Sequence, residues 1–419
     1  MQVLLQSTAN LATTIIGAGI MALPRTFATL GILLGATMMG LVFGLSYFSL
    51  FGLVRVSGLT RQWTYADLVR SQFGRAGGLL LQLSIVLNNA GTMVVYLIII
   101  GDILAGVAPD YNGLISMLLG PGHAGQWYTG RAFVVGMLCL LCLAPLVSLR
   151  DLSLLGPMST VGVSIAGAFA ASVVALTGVA FAKGQVGDFH WLPSLDMLGT
   201  TPSKVALNLL AVLPVITMCF VCHYNVHPIA HSLARFTNRR MMMVVRRALT
   251  LCSTLFTLVA AGGYMLFGSD TQENILNNFV PGTLAHLVGP VPANILSFAI
   301  RLGYCICLMA TFALLNWALR ETVAQLAFGR THLSTAGFLL TSYVLLLVLY
   351  LVSILVPSVW TALSLTGATA AVLVAFILPG ALILKTERRR PLYRALAWVC
   401  VLLGVAMGVV GVANVLISK

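Results

Sequence analysis

Apolar residues gather into long runs along this 419-residue chain, and short polar, glycine-containing or proline-containing breaks separate the runs. A helix that crosses the hydrocarbon core of a bilayer, about 30 Å thick, needs roughly 20 mostly apolar residues. The runs therefore predict eleven membrane-spanning helices. Their approximate limits are 3–30, 31–57, 78–107, 131–147, 154–182, 205–234, 248–267, 294–319, 336–356, 358–384 and 395–417.

Between the second and third runs, the pattern changes to one face of a shorter helix. Thr64 precedes apolar residues at helical spacing, Asp67 stands three residues after it, and Gly74 follows. Threonine and an acidic residue in this arrangement form a capping box, and glycine commonly ends a helix. We expect a short helix here, lying against the inner membrane surface.

The scarcity of charge excludes whole classes of protein. Charged residues make up only 8% of the chain, whereas soluble domains carry about 25%. So few charges cannot cover the surface of a soluble enzyme, a nucleic-acid reader or a disordered scaffold. The composition predicts an all-α, multi-pass integral membrane protein, with the lipid bilayer as its surroundings and with no nucleic-acid partner.

The distribution of the positive charges supports the count of eleven. With the N-terminus in the cytoplasm, seventeen Lys and Arg residues fall in the inner segments and four in the outer ones. Cytoplasmic loops of membrane proteins carry such an excess. The net charge of +13 is therefore a consequence of membrane topology. The sequence leaves the oligomeric state open, and a monomer is compatible with it.

Two of the eleven runs contain residues that interrupt a helix. The first contains Gly17-Ala18-Gly19 and then Pro24, and the sixth has prolines near both ends and the polar cluster His223–Asn225. Irregular backbone at membrane depth is tolerated only where it is buried or lines a cavity. Taken alone, Gly-Ala-Gly could equally serve helix packing. Two interruptions five helices apart are instead typical of a transporter's midplane site.

This spacing predicts one transporter domain over residues 1–419, built from two inverted repeats. The repeats cover about 3–182 and 205–384, and an extra helix follows at about 395–417. At each break, exposed N–H groups suit a carboxylate and exposed carbonyl groups suit an ammonium group. We therefore predict an α-amino acid as substrate. The predicted substrate-binding residues are Thr14, Gly17, Ala18, Gly19, Met218, Cys219, Phe220 and Val221.

A few titratable residues lie inside or at the ends of the spans. His223 stands beside the second break and is a candidate pH sensor, because histidine titrates near neutral pH. Arg301 lies within the eighth run without an obvious partner. Arg25 and Asp102 form an outer gate in one interpretation and two independent charges in the other. No catalytic residues, cofactor or metal centre beyond a coupling Na⁺ are predicted.

Several motifs resemble the amino acid/auxin permease family, in the branch of the sodium-coupled neutral amino acid transporters and the plant vacuolar amino acid transporters. They are the segment from Asn10 to Pro24, Phe220-Val221-Cys222-His223 with Pro228-Ile229, Ser148-Leu149-Arg150-Asp151-Leu152 and Tyr264-Met265-Leu266-Phe267-Gly268. The resemblance implies an eleven-helix LeuT-type fold with broken helices 1 and 6, and alternating-access transport.

The resemblance also implies a cation site at Thr13, Ile16 and Thr311. Thr311 matches the family's threonine, whereas Thr13 stands where sodium-coupled members have asparagine. Tyr224 and Asn225 likewise stand where Pro and Glu are typical. The first departure weakens the case for Na⁺ coupling and strengthens the case for H⁺ coupling.

Together these features predict a secondary active transporter of neutral amino acids, a symporter or antiporter coupled to Na⁺ or H⁺. It would lie in a vacuolar, lysosomal or plasma membrane with its N-terminus in the cytoplasm. The alternatives are an amino-acid sensor and, less favoured, an ion channel, for which no charged ring or filter loop is apparent. No enzyme motif occurs in the sequence.

Overall fold

A computed structural model describes residues 2–150, 158–193, 201–233, 237–329 and 333–417. Helices dominate this part of the chain, and no strand occurs within it. Nine helices among these residues are long and apolar enough to cross a membrane. The broken first span and the shorter fourth complete the predicted set of eleven, so the predicted all-α fold class is confirmed.

We number the spans along the chain. They are span 1 (Gln2–Ile15 and Leu23–Leu30), span 2 (Ile32–Thr60), span 3 (Tyr65–Ala105), span 4 (Arg131–Leu138 and Ala144–Val147), span 5 (Met158–Lys183), span 6 (Pro202–Cys219 and Val226–Ser232), span 7 (Asn238–Phe267), span 8 (Pro290–Phe328), span 9 (Thr335–Leu355), span 10 (Val359–Thr366 and Leu378–Thr386) and span 11 (Pro391–Ile417). Short helices at Leu114–Leu119 and Pro281–Val288 lie in the connections after spans 3 and 7.

Several helices extend beyond the apolar runs that predicted them. Span 7 begins ten residues before the run at 248, where Thr237 caps it by accepting a hydrogen bond from the Arg240 N–H at 3.2 Å. Span 8 likewise continues past 319 to Phe328. Hydropathy marks only the part of a helix that lies in hydrocarbon, whereas helical hydrogen bonds continue into the polar region.

The short helix predicted after Thr64 exists but is continuous with span 3. The Thr64 hydroxyl accepts a hydrogen bond from the Asp67 N–H at 3.0 Å, as a capping box requires. Gly74 adopts non-helical angles, with φ 71° and ψ −167°. Because φ is positive, glycine is favoured at this bend. The helix therefore changes direction at Gly74 rather than ending there.

Spans 4 and 10 are widened by π-helical turns, at Cys139–Leu143 in span 4 and at Gly367–Ala371 and Leu373–Ile377 in span 10. A proline follows each widened region, Pro145 and Pro379 respectively. Proline lacks an N–H and its ring crowds the carbonyl four residues earlier. The wider turn accommodates that crowding without ending the span.

Spans 1 and 6 lie at the centre of the bundle. Leu11, Ile20 and Phe220 are fully buried. Span 7 packs against spans 1, 2 and 5, while span 3 packs against spans 8 and 10. Span 9 keeps many apolar side chains exposed, as expected for a helix that faces lipid.

The three charged residues whose partners the sequence left open have defined contacts. Arg301 is buried and donates hydrogen bonds to the carbonyl oxygens of Ile103 at 3.0 Å and Asn112 at 2.8 Å. It therefore ties the end of span 3 to the segment that follows it. The outer-gate pairing of Arg25 with Asp102 is not formed: Arg25 donates to the Thr271 carbonyl, and Asp102 lies 3.9 Å from Arg131. Asp151 and Leu152 of the fourth-to-fifth motif lie outside the described residues.

Candidate substrate site

Both predicted helix breaks are present. The helix Gln2–Ile15 stops, a 3₁₀ turn covers Ala18–Met21, and a second helix begins at Leu23. Pro24 lies in the first turn of that second helix, where its missing N–H costs nothing. We call the two halves span 1a and span 1b. In lipid, such a gap must be compensated by protein or ligand.

Span 6 is interrupted in the same manner. Its first half, span 6a, ends at Cys219, and its second half, span 6b, begins at Val226 after a 3₁₀ turn at His223–Asn225. Phe220 and Cys222, which lie between the two halves, each have non-helical backbone angles. The first N–H groups after each gap and the last carbonyl groups before it lack regular helical partners.

The two breaks touch each other. A Cβ atom added to Gly19 would lie 2.5 Å from the Cys219 sulfur and 3.3 Å from the Cys219 Cα. A side chain fits there only if the Cys219 sulfur or the backbone of span 6 moves. A second contact links the turn before span 6b to span 1a, where the Asn225 amide donates a hydrogen bond to the Thr14 hydroxyl at 3.2 Å. The glycines predicted from sequence therefore permit close approach of backbone.

A cavity of about 440 Å³ lies beside these breaks, between spans 1, 3, 6, 8 and 10. Of the predicted substrate-binding residues, its wall includes Thr14, Gly17, Ala18, Gly19, Met218, Cys219 and Val221. Phe220 is not part of the wall, because its ring packs edge-on against Phe256 of span 7 with centroids 5.5 Å apart. Their roles in binding stay predictions.

Other wall residues were not predicted as substrate contacts. They are Asn10, Ile15, Asn88, Thr92, Val95, Tyr96, Tyr224, Asn225, Pro228, Ile229, Leu314, Leu315, Trp317, Ala318 and Leu363. Asn88 is buried, and its side-chain oxygen accepts no hydrogen bond within the described part of the chain. The Tyr96 hydroxyl lies 2.9 Å from the point that a Gly17 Cβ would occupy. The sequence feature that could have indicated the polar wall residues is a neutral polar side chain at membrane depth. Hydrogen bonding between packed helices explains such a residue equally well.

The predicted cation residues Thr13 and Thr311 also line the cavity, whereas Ile16 does not. The Thr13 hydroxyl donates to the Ala9 carbonyl at 2.9 Å, and the Thr311 hydroxyl donates to the Cys307 carbonyl at 2.8 Å. A threonine hydroxyl oxygen is able to coordinate a cation or to accept a hydrogen bond from a proton donor. No cluster of three or more His, Cys, Asp or Glu that could hold a metal ion occurs among the residues searched, which are the described ones.

His223 belongs to a column of three histidines that runs from the 3₁₀ turn at His223–Asn225 along span 6b. Their Nε2 atoms lie 2.7 Å from the Ser49 hydroxyl, 2.7 Å from the Ser57 hydroxyl and 3.0 Å from the Trp63 carbonyl, for His223, His227 and His231 respectively. His223 is fully buried. The column attaches span 6b and the turn before it to span 2 and to the connection after span 2. A pH-sensing role for His223 stays a prediction.

A second cavity, of about 580 Å³, lies at the opposite end of the bundle and shares no wall residue with the first. Charged residues surround it: Arg25, Asp102, Arg131, Asp270 and Glu273. Between Gly19, on the wall of the first cavity, and Arg25, on the wall of the second, span 1 contains the fully buried residues Ile20, Met21 and Leu23. The first cavity extends instead along Asn10, Ile229 and Ala318, toward the side on which the N-terminus lies.

Relatives and solved structures agree with this architecture. Amino acid transporter AVT6A of Arabidopsis thaliana is 37% identical over 90% of this chain and 80% of that protein. Amino acid transporter AVT6E of the same plant is 32% identical over 96% of this chain and 81% of that protein.

Two solved transporters share the fold, which is LeuT-type. The manganese transporter of Eremococcus coleocola has a TM-score of 0.63 at 12% identity, covering 99% of this chain and 86% of that one. The nucleobase-cation-symport-1 family transporter Mhp1 has a TM-score of 0.59 at 14% identity, covering 98% and 90%. The family model described as "Transmembrane amino acid transporter protein" matches residues 3–417. The chain therefore belongs to the transmembrane amino acid transporter family and is a transporter, not an enzyme.

Proposed function

We propose that this protein is a secondary active transporter that moves neutral amino acids across a membrane by alternating access, as a symporter or antiporter coupled to H⁺ or Na⁺. The observation that carries the proposal is the contact between two interrupted helices at Gly19 and Cys219, beside a cavity of about 440 Å³. Exposed peptide dipoles at such breaks suit both charged ends of a zwitterion.

The composition of the cavity wall supports a substrate with a neutral side chain. The described residues that line it include no Asp, Glu, Lys, Arg or His. A charged substrate side chain would be buried there without an ionic partner, which costs several kcal/mol, of the order of the penalty for an unpaired buried charge. An apolar or neutral polar side chain can contact Met218, Leu314 and Trp317 instead.

The coupling ion is the finer part of the proposal. Thr13 supplies a hydroxyl in place of the amide of the sodium-coupled pattern. We therefore place H⁺ ahead of Na⁺. The candidate groups for coupling are His223 and the predicted cation-binding residues Thr13 and Thr311.

Reconstitution into liposomes tests the proposal. Purified protein is supplied with a panel of labelled amino acids under an imposed pH gradient, an imposed Na⁺ gradient or neither. We expect saturable, stereoselective accumulation of neutral amino acids, driven by the pH gradient and little affected by Na⁺. Binding of an amino acid without flux would favour a sensor, and ion current without amino-acid flux would favour a channel; either result contradicts the proposal.

The proposed orientation in the membrane rests on the distribution of charge. The N-terminus lies in the cytoplasm, since that side then carries seventeen Lys and Arg residues against four. The membrane is vacuolar, lysosomal or plasma. Protease treatment of an N-terminal tag in sealed vesicles of each membrane distinguishes the orientations. In intact vacuoles a cytoplasmic N-terminus faces outward and is cleaved, so protection of the tag there would contradict the proposed orientation.

A further inference from the structure

Spans 4 and 9 enclose an apolar groove on the outside of the bundle, remote from the substrate cavity. Its volume is about 610 Å³, and its walls include Gly136, Leu140, Ala144, Leu347 and Tyr350. Leu140 is 66% exposed and Leu347 is 56% exposed. Since both lie in the middle of membrane spans, the groove faces hydrocarbon.

The backbone of span 4 explains why the groove exists. The π-helical turn at Cys139–Leu143 displaces the helix just before Pro145. Gly136 lets the Tyr350 ring lie close, because a Cβ at that position would be 3.0 Å from the Tyr350 hydroxyl. Ala144, the other small residue on this wall, leaves room between the spans.

Hydrogen bonds pin the two spans together at both ends of the groove. The Tyr350 hydroxyl donates to the Ala132 carbonyl at 3.0 Å, and the Tyr343 and Ser148 hydroxyls are 2.9 Å apart. Seven residues separate the two tyrosines on span 9, so the groove between them is about 10 Å long at 1.5 Å per residue. This length and its apolar walls fit a stretch of extended acyl chain.

Two arginines stand beyond the Tyr343 end. The guanidinium carbons of Arg150 and Arg320 lie 4.9 Å and 3.8 Å from the centroid of the same Phe338 ring. Phe338 precedes Tyr343 by five residues, roughly 7 Å along the helix. Neither guanidinium forms an ion pair within the described part of the chain. Arg150 is exposed, whereas Arg320 is buried and donates a hydrogen bond to the Ser342 hydroxyl at 3.1 Å. Arg150 is therefore the cation that a ligand at this end of the groove can reach.

We propose that the groove and Arg150 together bind one anionic glycerophospholipid, with an acyl chain between spans 4 and 9 and the phosphate beside the exposed Arg150, next to the buried Arg320. Guanidinium groups form paired hydrogen bonds to phosphate, and basic pockets between spans on the cytoplasmic side bind anionic lipid headgroups. Free phosphate would leave the groove unused, and a zwitterionic lipid would bring its own cationic group close to Arg150. The site belongs to the leaflet that contains the excess of basic residues.

Native mass spectrometry of the purified full-length protein tests this assignment. The protein is titrated with phosphatidylserine or with phosphatidylcholine of identical acyl chains. We expect one phosphatidylserine to be retained with about tenfold preference, which is the order of one or two charge-assisted hydrogen bonds. Arg150→Gln with Arg320→Gln should remove the preference, and Ala144→Leu should reduce retention of both lipids by filling the groove.

Matched controls keep the experiment decisive. Arg246→Gln removes an exposed basic residue from span 7, and Ala171→Leu enlarges an exposed alanine of span 5; both should bind lipid as the parent does. If the double variant does not fold, Arg150→Gln alone changes an exposed residue and still tests the preference. Equal retention of the two lipids by the parent, an unchanged preference in the arginine variants, or cross-linking of a second copy across the groove would overturn the proposal.

Discussion

Gly19 is the residue at which the two broken spans come closest. We expect Gly19→Ala to reduce the initial rate of amino-acid uptake in proteoliposomes by more than about tenfold. The added Cβ would lie 2.5 Å from the Cys219 sulfur and 3.3 Å from the Cys219 Cα. The Cys219 side chain or span 6 itself must therefore shift, and misplacement of a binding group by about 1 Å can cost a hundredfold in rate.

Two variants separate this effect from general loss of folding. Gly167→Ala adds a Cβ where no heavy atom lies within 4 Å, so its rate should equal the parent's. Combining Gly19→Ala with Cys219→Ala removes the sulfur contact and leaves only the 3.3 Å contacts. Partial recovery is expected. Full activity of Gly19→Ala by itself would show that the contact between the breaks is not needed for transport.

Asn225 offers a test of substrate charge. Since the described wall of the cavity has no charged side chain, Asn225→Asp would introduce one carboxylate beside the substrate. We expect labelled lysine uptake to rise at least about tenfold, since charge-assisted hydrogen bonds contribute roughly 1.5–3 kcal/mol, and uptake of neutral amino acids to fall. Asn294→Asp, on an exposed turn of span 8, is the control. Unchanged preference in Asn225→Asp would place the substrate side chain elsewhere.

At the scale of elements, the histidine column fixes how span 6b is attached to span 2. Ser49→Ala would leave the buried Nε2 of His223 without its 2.7 Å partner. An unsatisfied buried polar group costs about 1–3 kcal/mol, so the variant should unfold at a lower temperature in detergent. Ser164→Ala, which loses only an exposed intrahelical hydrogen bond, should unfold with the parent. Identical unfolding of the two variants would mean that the column does not stabilise the bundle.

The elements themselves could be predicted because their causes are local. An apolar run long enough for the bilayer predicted each span, and glycine and proline predicted the two breaks. The side-chain partners could not be predicted in the same way. Arg301 bonds to residues 198 and 189 positions away, and His223 pairs with Ser49 across 174 positions. Such pairs depend on how the helices pack and not on any local pattern.

The same reasoning explains the uneven prediction of cavity residues. Gly17 and Gly19 could be predicted from sequence, because glycine interrupts a helix and lets a ligand approach the main chain closely. Phe220 adjoins the break, but the non-helical backbone at that residue turns its ring toward Phe256. Tyr96 and Trp317 belong to regular helices, where nothing in the sequence distinguishes a cavity-facing aromatic residue from a core one. Their place on the wall follows from packing of spans 3 and 8 against span 1.

On the scale of the whole molecule, the two cavities are arranged asymmetrically. The cavity beside the breaks extends toward the N-terminal side, and the charged cavity at the other end is separate from it. Buried residues of the first break lie between the two. A transporter that alternates must open this layer while closing the N-terminal side, whereas a channel opens both together.

Thiol labelling from the two sides of the membrane distinguishes these motions. Ile229→Cys places a thiol on the wall of the N-terminal cavity, and Met21→Cys places one in the buried layer. Under a driving gradient with substrate, we expect labelling to fall several-fold at position 229 and to rise at position 21 from the opposite side. Ser269→Cys, in the outer cavity and already exposed, should label equally in both conditions, and the parent chain corrects for its eight native cysteines. A rise at both positions would contradict alternating access, because it requires a pathway open to both sides at once.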